Sequence, residues 1–213
     1  MSIITKVLSL PGLIRGLNET TIDPDPIVQF KKWYRFAQRA GCYWPNSMAV
    51  ATVTPEGRPA VRLMLLKTVD ARGFVFYTHY NGRKGLELEK TPYAALSFHW
   101  NELIRQVRVE GRVEKVSWEE SNAYFQSRLR GSRIGAWASK QSKVLSSRQE
   151  FEQALRDYEQ KFQGQEAPLP PHWGGYLVIP DRIEFWQGRP YRLHDRLCYL
   201  RKETGWMLVR LAP

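Results

Sequence analysis

The chain has 213 residues, 43% of them hydrophobic and 25% charged, with a formal net charge of +11 at pH 7. That length suits one sizeable domain, and the balance of apolar and charged residues excludes a disordered chain. No apolar run of eighteen residues exists, which excludes a membrane-spanning helix, and the positive excess calls for an anionic partner.

The cations are dispersed among aromatics and acids rather than gathered in blocks, so phosphorylated small molecules are the expected partners and nucleic acid is not. Cys42 and Cys198 have no metal or redox spacing and read as reduced, packed thiols of a cytoplasmic protein. Met1 to Leu17 carries Lys6 and Arg15 and is broken by Pro11-Gly12. Residues 1–21 are therefore expected to be a mobile N-terminal arm, and residues 22–213 a single domain.

Asp25-Pro26 opens the first predicted helix, with Asp25 as cap and Pro26 in the first turn. Ile27, Phe30, Tyr34 and Ala37 follow at helical spacing, and Gly41 ends the run. Strands are expected at 48–54, 60–69 and 74–78, separated by the turns Pro55-Glu56-Gly57 and Asp70-Ala71-Arg72-Gly73. A short helix over 81–88 and strands over 93–100 and 105–116 come next. Ser117-Trp118-Glu119-Glu120 and Ser147-Arg148-Gln149-Glu150 are capping boxes, opening helices to about Arg128 and Phe162. After a proline-rich loop, strands resume at 176–179, 183–186, 191–200 and 206–211. The close succession of strands favours an antiparallel sheet or barrel with peripheral helices, a mainly β architecture of the α+β kind.

No glycine-rich phosphate loop, nucleophile elbow or metal-ligand spacing is present; His79, His99, His172 and His194 lie far apart. Four polar clusters remain. Arg62 and Lys67 bracket the apolar run Leu63-Met64-Leu65-Leu66, but in a regular strand they face opposite ways, so one shared ligand requires a bulge or a ligand wrapping the strand edge. Arg83-Lys84, at a helix start after Tyr77-Thr78, is either a phosphate site or a solvated basic turn. Tyr124 and Arg128 are spaced i, i+4, with Ser132 beyond; a phenol, a guanidinium and a hydroxyl together can hold a phosphate monoester. Arg192, His194 and Arg196 share one face of an alternating strand, either an exposed basic face or a covered one that holds an anion or carboxylate between them, while Asp195 points away and reads as structural. Trp186, Tyr191 and Tyr199 nearby suit a flat aromatic ligand.

These clusters resemble the pyridoxine (pyridoxamine) 5′-phosphate oxidase family. The matching strings include Arg62 to Lys67, Phe76-Tyr77-Thr78, Arg83-Lys84, Arg105-Gln106-Val107, Tyr124-Phe125 with Ser127-Arg128, Ile134-Gly135-Ala136-Trp137, Ser139-Lys140-Gln141-Ser142, Trp173-Gly174-Gly175, Ile183 to Gly188, Arg192 to Arg196 and Arg210 to Pro213. They run in order from Asp25 to the last residue. The resemblance implies a split β-barrel that binds FMN at a homodimer interface, with both subunits lining each site. It implies oxidation of pyridoxamine and pyridoxine 5′-phosphates to the aldehyde, by hydride transfer from C4′ to the flavin, with molecular oxygen reduced to hydrogen peroxide.

By that resemblance FMN is held by Arg62, Leu63, Met64, Leu65, Leu66, Lys67, Tyr77, Thr78, Arg83, Lys84, Gln106, Gln141, Ser142, Trp186 and Arg196. The substrate phosphate meets Lys67, Tyr124, Arg128 and Ser132. Arg192 and His194 lie over the substrate ring as the catalytic pair, Arg192 by charge and stacking, His194 by hydrogen bonding or proton transfer. Two departures stand out: Asn18-Glu19 replaces an arginine pair that some members carry, and Gly82 stands where relatives place a serine.

Overall fold

The computed structural model describes residues 16–213. The first fifteen residues of the expected arm lie outside the described residues. Residues 17–19 are tied down: the Leu17 amide donates to Asp195, and Arg210 donates to both carboxylate oxygens of Glu19 and to the Leu17 carbonyl.

The first helix, α1 (Pro26–Arg39), starts as its sequence dictates, with the Asp25 carboxylate accepting from the amides of Ile27 and Val28. Its apolar stripe buries Ile27, Phe30, Trp33 and Ala37. Phe30 meets Phe74 and Phe98 edge-on, each at a centroid distance of 4.9 Å, and Trp33 meets Phe185 at 5.2 Å. The aromatic wedge of α1 thus fills the barrel interior.

Nine strands build one antiparallel sheet among the described residues: β1 (Ser47–Val53), β2 (Pro59–Leu65), β3 (Thr68–Val69), β4 (Phe74–His79), β5 (Tyr93–Trp100), β6 (Arg105–Lys115), β7 (Trp173–Gln187), β8 (Asp195–Arg201) and β9 (Trp206–Leu211). The order is β2-β1-β5-β6-β7-β4-β3, with β8 and β9 added alongside β7. The expected strand over 60–69 is two strands. β2 pairs with β1 at one edge of the sheet and β3 with β4 at the other, so residues 59–69 carry the chain between the two edges and curl the sheet into a split barrel. Leu66 and Lys67 form the crossing, their amides donating to the carbonyls of Asn46 and Val75. This break resolves the parity conflict between Arg62 and Lys67 without a bulge.

The two short strands expected over 176–186 are one fifteen-residue strand, β7. Its first half pairs with β4 and its second half with β8, while β6 follows it from Tyr176 to Gln187. The register with β6 slips between Glu110 and Gly111. A Cβ on Gly111 would stand 2.1 Å from the Ile179 carbonyl oxygen, so only glycine lets the strands approach there.

Helices α2 (Arg83–Lys90), α3 (Trp118–Gln126), α4 (Arg130–Ala138) and α5 (Arg148–Lys161) are excursions from the barrel. The helix expected to reach Arg128 stops at Gln126, and α4 was not legible in the sequence. It has no side-chain cap and contains Gly131 and Gly135. Contacts made elsewhere hold it: Arg130 donates to the carbonyls of Phe162 and Gln165, and the Trp137 indole to that of Pro168.

Candidate active site

The principal cavity, about 880 Å³, opens between the β2–β3 crossing, the end of β4 and helices α3 and α4. Its lining brings together Lys67, Tyr124, Arg128 and Ser132, the whole set expected at a substrate phosphate. It also contains Leu63, Met64, Leu65, Tyr77, Thr78, Lys84 and Gln141 from the expected flavin set. Arg128 lies past the end of α3, beyond the regular i, i+4 face, yet still reaches the cavity beside Tyr124.

An aromatic wall organises this cleft. Tyr77 stacks on Tyr124 at 4.0 Å and on Trp173 at 5.6 Å. The Arg128 guanidinium lies 4.8 Å over Trp173, and Lys67 Nζ 5.7 Å over Tyr124. Burial draws the Arg128 pKa below the usual guanidinium value. Its Nη1 is buried without a hydrogen-bond partner, an arrangement costly unless an anion completes it.

Lys84 is buried at the mouth of α2. Its Nζ donates to Thr78 Oγ1 at 3.0 Å and Gln141 Oε1 at 2.6 Å, and burial pulls its pKa down to about 8. The same lysine lines a neighbouring cavity of about 400 Å³ together with Arg62, Arg83 and Ser142. A Cβ on Gly82 would meet the Gln141 amide oxygen at 2.7 Å, so Gln141 fills the space a side chain at 82 would take. Leu66, also expected in the flavin set, is buried in the core. His79, which the sequence did not mark, lines the main cavity as a neutral imidazole. Burial, reinforced by His172 and the charges of Lys84 and Arg128, holds its pKa down at about 4.

A second group lies on another part of the sheet. Gln106 of β6, Trp186 of β7 and Arg196 of β8 are cross-strand neighbours in register. The His194 ring sits 4.6 Å from Trp186, and its Nδ1 accepts the Arg189 amide at 3.1 Å. The neutral ring therefore carries its proton on Nε2 and presents a donor there. None of Gln106, Trp186, Arg192, His194 and Arg196 lines the main cavity.

The alternating strand expected over 191–200 is corrected. Pro190–Arg192 is a 3₁₀ turn, and β8 begins only at Asp195. Tyr191 and Arg192 both have left-handed backbones, φ 57° and 62°, a costly state for two consecutive non-glycine residues. Arg192, His194 and Arg196 thus do not share one strand face. Arg196 alone of the three has Glu184 as its carboxylate, which accepts from its Nε at 2.8 Å; Asp195 pairs with Arg210 and Arg189, the structural role expected of it.

Curled sheet and cleft define the class: an antiparallel split β-barrel with a cavity lined by cations and stacked aromatic rings. Residues 38–162 match the family model described as pyridoxamine 5′-phosphate oxidase, and residues 173–213 the model of the pyridoxine 5′-phosphate oxidase C-terminal dimerisation region. The chain belongs to this family of flavoprotein oxidoreductases of vitamin B6 metabolism.

It is 58% identical over 198 residues to the pyridoxine/pyridoxamine 5′-phosphate oxidase of Rubrobacter xylanophilus, covering 93% of this chain and 91% of that one. The protein of the same name from Psychromonas ingrahamii is 54% identical over 217 residues, with complete coverage of both chains. Among solved structures, PhzG from Burkholderia lata 383 in complex with tetrahydrophenazine-1-carboxylic acid superposes with a TM-score of 0.87 at 30% identity, over 92% of this chain and 98% of that one. An FMN-binding protein of Nostoc punctiforme shares the fold, with a TM-score of 0.69 at 18% identity, over 86% and 96% of the two chains.

Proposed function

We propose that this protein oxidises pyridoxamine and pyridoxine 5′-phosphates to pyridoxal 5′-phosphate, using FMN and molecular oxygen, as a homodimer with shared active sites. The observation that carries this reading is the unpartnered, buried Nη1 of Arg128 in a cleft with Lys67, Tyr124 and Ser132. These four residues supply two cations and two hydroxyls, a donor set suited to a phosphate monoester without a metal.

The flavin fits a second cationic corner. Arg62, Arg83, Lys84 and Ser142 surround a cavity large enough for its phosphate, next to the apolar stretch Leu63 to Leu65 that leads into the main cleft. When bound, flavin supplies the two-electron chemistry and passes the electrons to oxygen. The protein's part is placement: Lys67 and Arg128 anchor the substrate phosphate, and the stacked Tyr77, Tyr124 and Trp173 shape an aromatic floor beside it.

Arg192 and His194 close the site over the substrate ring, His194 through its Nε2–H donor. They come from the second subunit, because within one chain they do not line the cavity. Two further facts support this. Trp186, Arg192, His194 and Arg196 all fall within the stretch that matches the dimerisation region. The edge strand β2 also carries exposed Val61 and Leu63, apolar residues suited to burial against another chain.

The test is direct. The purified protein is expected to bind FMN with a yellow flavin spectrum and to consume oxygen and release peroxide with pyridoxamine 5′-phosphate. Absence of both flavin binding and oxygen uptake after FMN is added overturns the proposal.

Lys84 gives this reading a pH signature. Burial lowers its pKa to about 8, so the ammonium form that attracts a phosphate is present below that pH and lost above it. Above about pH 7 a phosphate monoester is already close to its dianion, so the lysine alone titrates. FMN affinity is expected to be flat from about pH 7 to 8 and then to weaken by up to about tenfold per pH unit. Quenching of flavin fluorescence between pH 7 and 9.5 measures this, and Lys84→Arg is expected to flatten the profile.

A further inference from the structure

Within the flavin-phosphate corner, one carboxylate reaches several of the cation-bearing elements. Glu87 sits one helical turn after Arg83 on α2, and its side chain is only 3% exposed. Its Oε1 accepts from Arg83 Nε at 2.8 Å. Its Oε2 accepts from Arg62 Nη2 at 2.9 Å and from the hydroxyl of Thr52. Thr52 in turn accepts from Arg62 Nη1, which also donates to the carbonyls of Val50 and Ala60. One buried carboxylate therefore links α2, β1 and β2.

We propose that Glu87 is the positioning residue of this corner: it holds Arg62 and Arg83 side by side and makes the site selective for the phosphate of the flavin. The inference rests on the reading of this corner as the FMN phosphate site.

Three observations carry it. First, Glu87 engages Arg83 only through Nε, and both terminal nitrogens of Arg83 make no hydrogen bond among the described residues. The guanidinium is thus fixed at its base, with its fork still available for an anion. Second, Arg62, Arg83 and Lys84 line one small cavity and repel one another across it. A buried carboxylate between the two guanidiniums offsets that repulsion before any ligand arrives, so the cavity is pre-organised. Third, three cations and one carboxylate leave a net charge of about two positive, opposite to a phosphate monoester dianion. Without Glu87 the corner carries an uncompensated cluster, and the arginines are expected to spread apart.

The test compares FMN with riboflavin, which carries the same ring and ribityl chain without the phosphate. Both are titrated by fluorescence quenching into the full chain stripped of flavin, as wild type and as Glu87→Gln. Glu87→Gln is expected to raise the Kd for FMN at least about tenfold, the scale of one charge-assisted hydrogen-bond network. The Kd for riboflavin is expected to change by less than about twofold, since its contacts with the apolar stretch and aromatic floor are untouched.

Equal weakening of both ligands marks a purely structural role and overturns the inference, as does unchanged FMN binding. If Glu87→Gln is not folded by its thermal transition, Thr52→Val decides. It removes the bridging hydroxyl and keeps both charges, and the same FMN-selective loss is expected at a smaller size, about threefold. No selective loss in that variant overturns the inference. A wild-type protein that binds riboflavin as tightly as FMN overturns the phosphate reading itself. A wild type that prefers FMN, beside an indifferent Glu87→Gln, overturns the role of Glu87 alone.

Discussion

Arg128→Ala is expected to lower kcat/KM for pyridoxamine 5′-phosphate by about a hundredfold, mostly through KM. The guanidinium sits over Trp173, draws on Phe125 at 5.6 Å, and keeps Nη1 buried and unpartnered. A group in that state gains its hydrogen bonds when an anion arrives, so its removal costs binding more than folding. The thermal midpoint of the ligand-free protein is expected to change little, because truncation deletes an unsatisfied buried donor along with the cation–π contact. Arg128→Lys is expected to recover only part of the loss, since an ammonium lacks the flat fork that engages two phosphate oxygens. Unphosphorylated pyridoxamine provides the control: wild type and variant should turn it over equally poorly. Equal losses on both substrates would place the role of Arg128 elsewhere.

The same variant also probes the shared site. Arg128→Ala and Arg192→Ala are each expected to be weak alone. If each site draws Arg128 from one subunit and Arg192 from the other, a mixed dimer contains one doubly altered site and one intact site. Random subunit exchange should then restore up to about a quarter of wild-type activity. No recovery after verified exchange places both residues in one subunit's site.

Phe30→Ala is expected to destabilise the fold by about 3–5 kcal/mol, the usual cost of emptying an aromatic site in a core. Phe30 is fully buried and touches Tyr34, Phe74, Phe98 and Trp100. It packs against aromatic rings of β4 and β5, where little can collapse to fill the void. For a domain of this size the loss corresponds to a fall of about 10 °C in thermal midpoint. Flavin affinity of the protein still folded at low temperature is expected to hold, because the cluster lies inside the barrel and the ligand residues lie on its rim. A shift of under about 2 °C would mean that α1 contributes little to the core.

Much of this fold is local and was therefore legible in the sequence. Asp25-Pro26, Ser117 and Ser147 set helix starts where the structure has them, because a cap needs only a side chain and the amides two or three residues on; the glutamates of the two boxes pair elsewhere, Glu120 with Arg72 and Glu150 with Ser146. The strands from Ser47 to Lys115 were marked by β-branched runs and short turns. Helix α4 was not, since Gly131 and Gly135 lower its intrinsic preference and its support comes from residues 159–168, distant in sequence. Alternation likewise failed at 191–194, where a left-handed turn replaces a strand; the sequence offers no glycine there to announce it.

The candidate site divides in the same way. Its chemical inventory, with arginines, lysines and a helix-borne tyrosine, was present in the sequence; Glu87 went unmarked there, although its i, i+4 spacing from Arg83 was a signal for the pair. Which of those groups meet was not readable. The crossing at Leu66 and Lys67 sends Arg62 and Lys67 to adjacent cavities, because residues 59–69 serve two sheet edges, a fact that no local pattern encodes. The sequence alone determined the elements, the charge and the set of reactive groups, for these depend on residues within a turn or two of each other. The tertiary structure decided that Lys67, Tyr124, Arg128 and Ser132 share one cavity while Arg192 and His194 do not line it, because only the closure of the barrel sets distances between residues on elements far apart in the sequence.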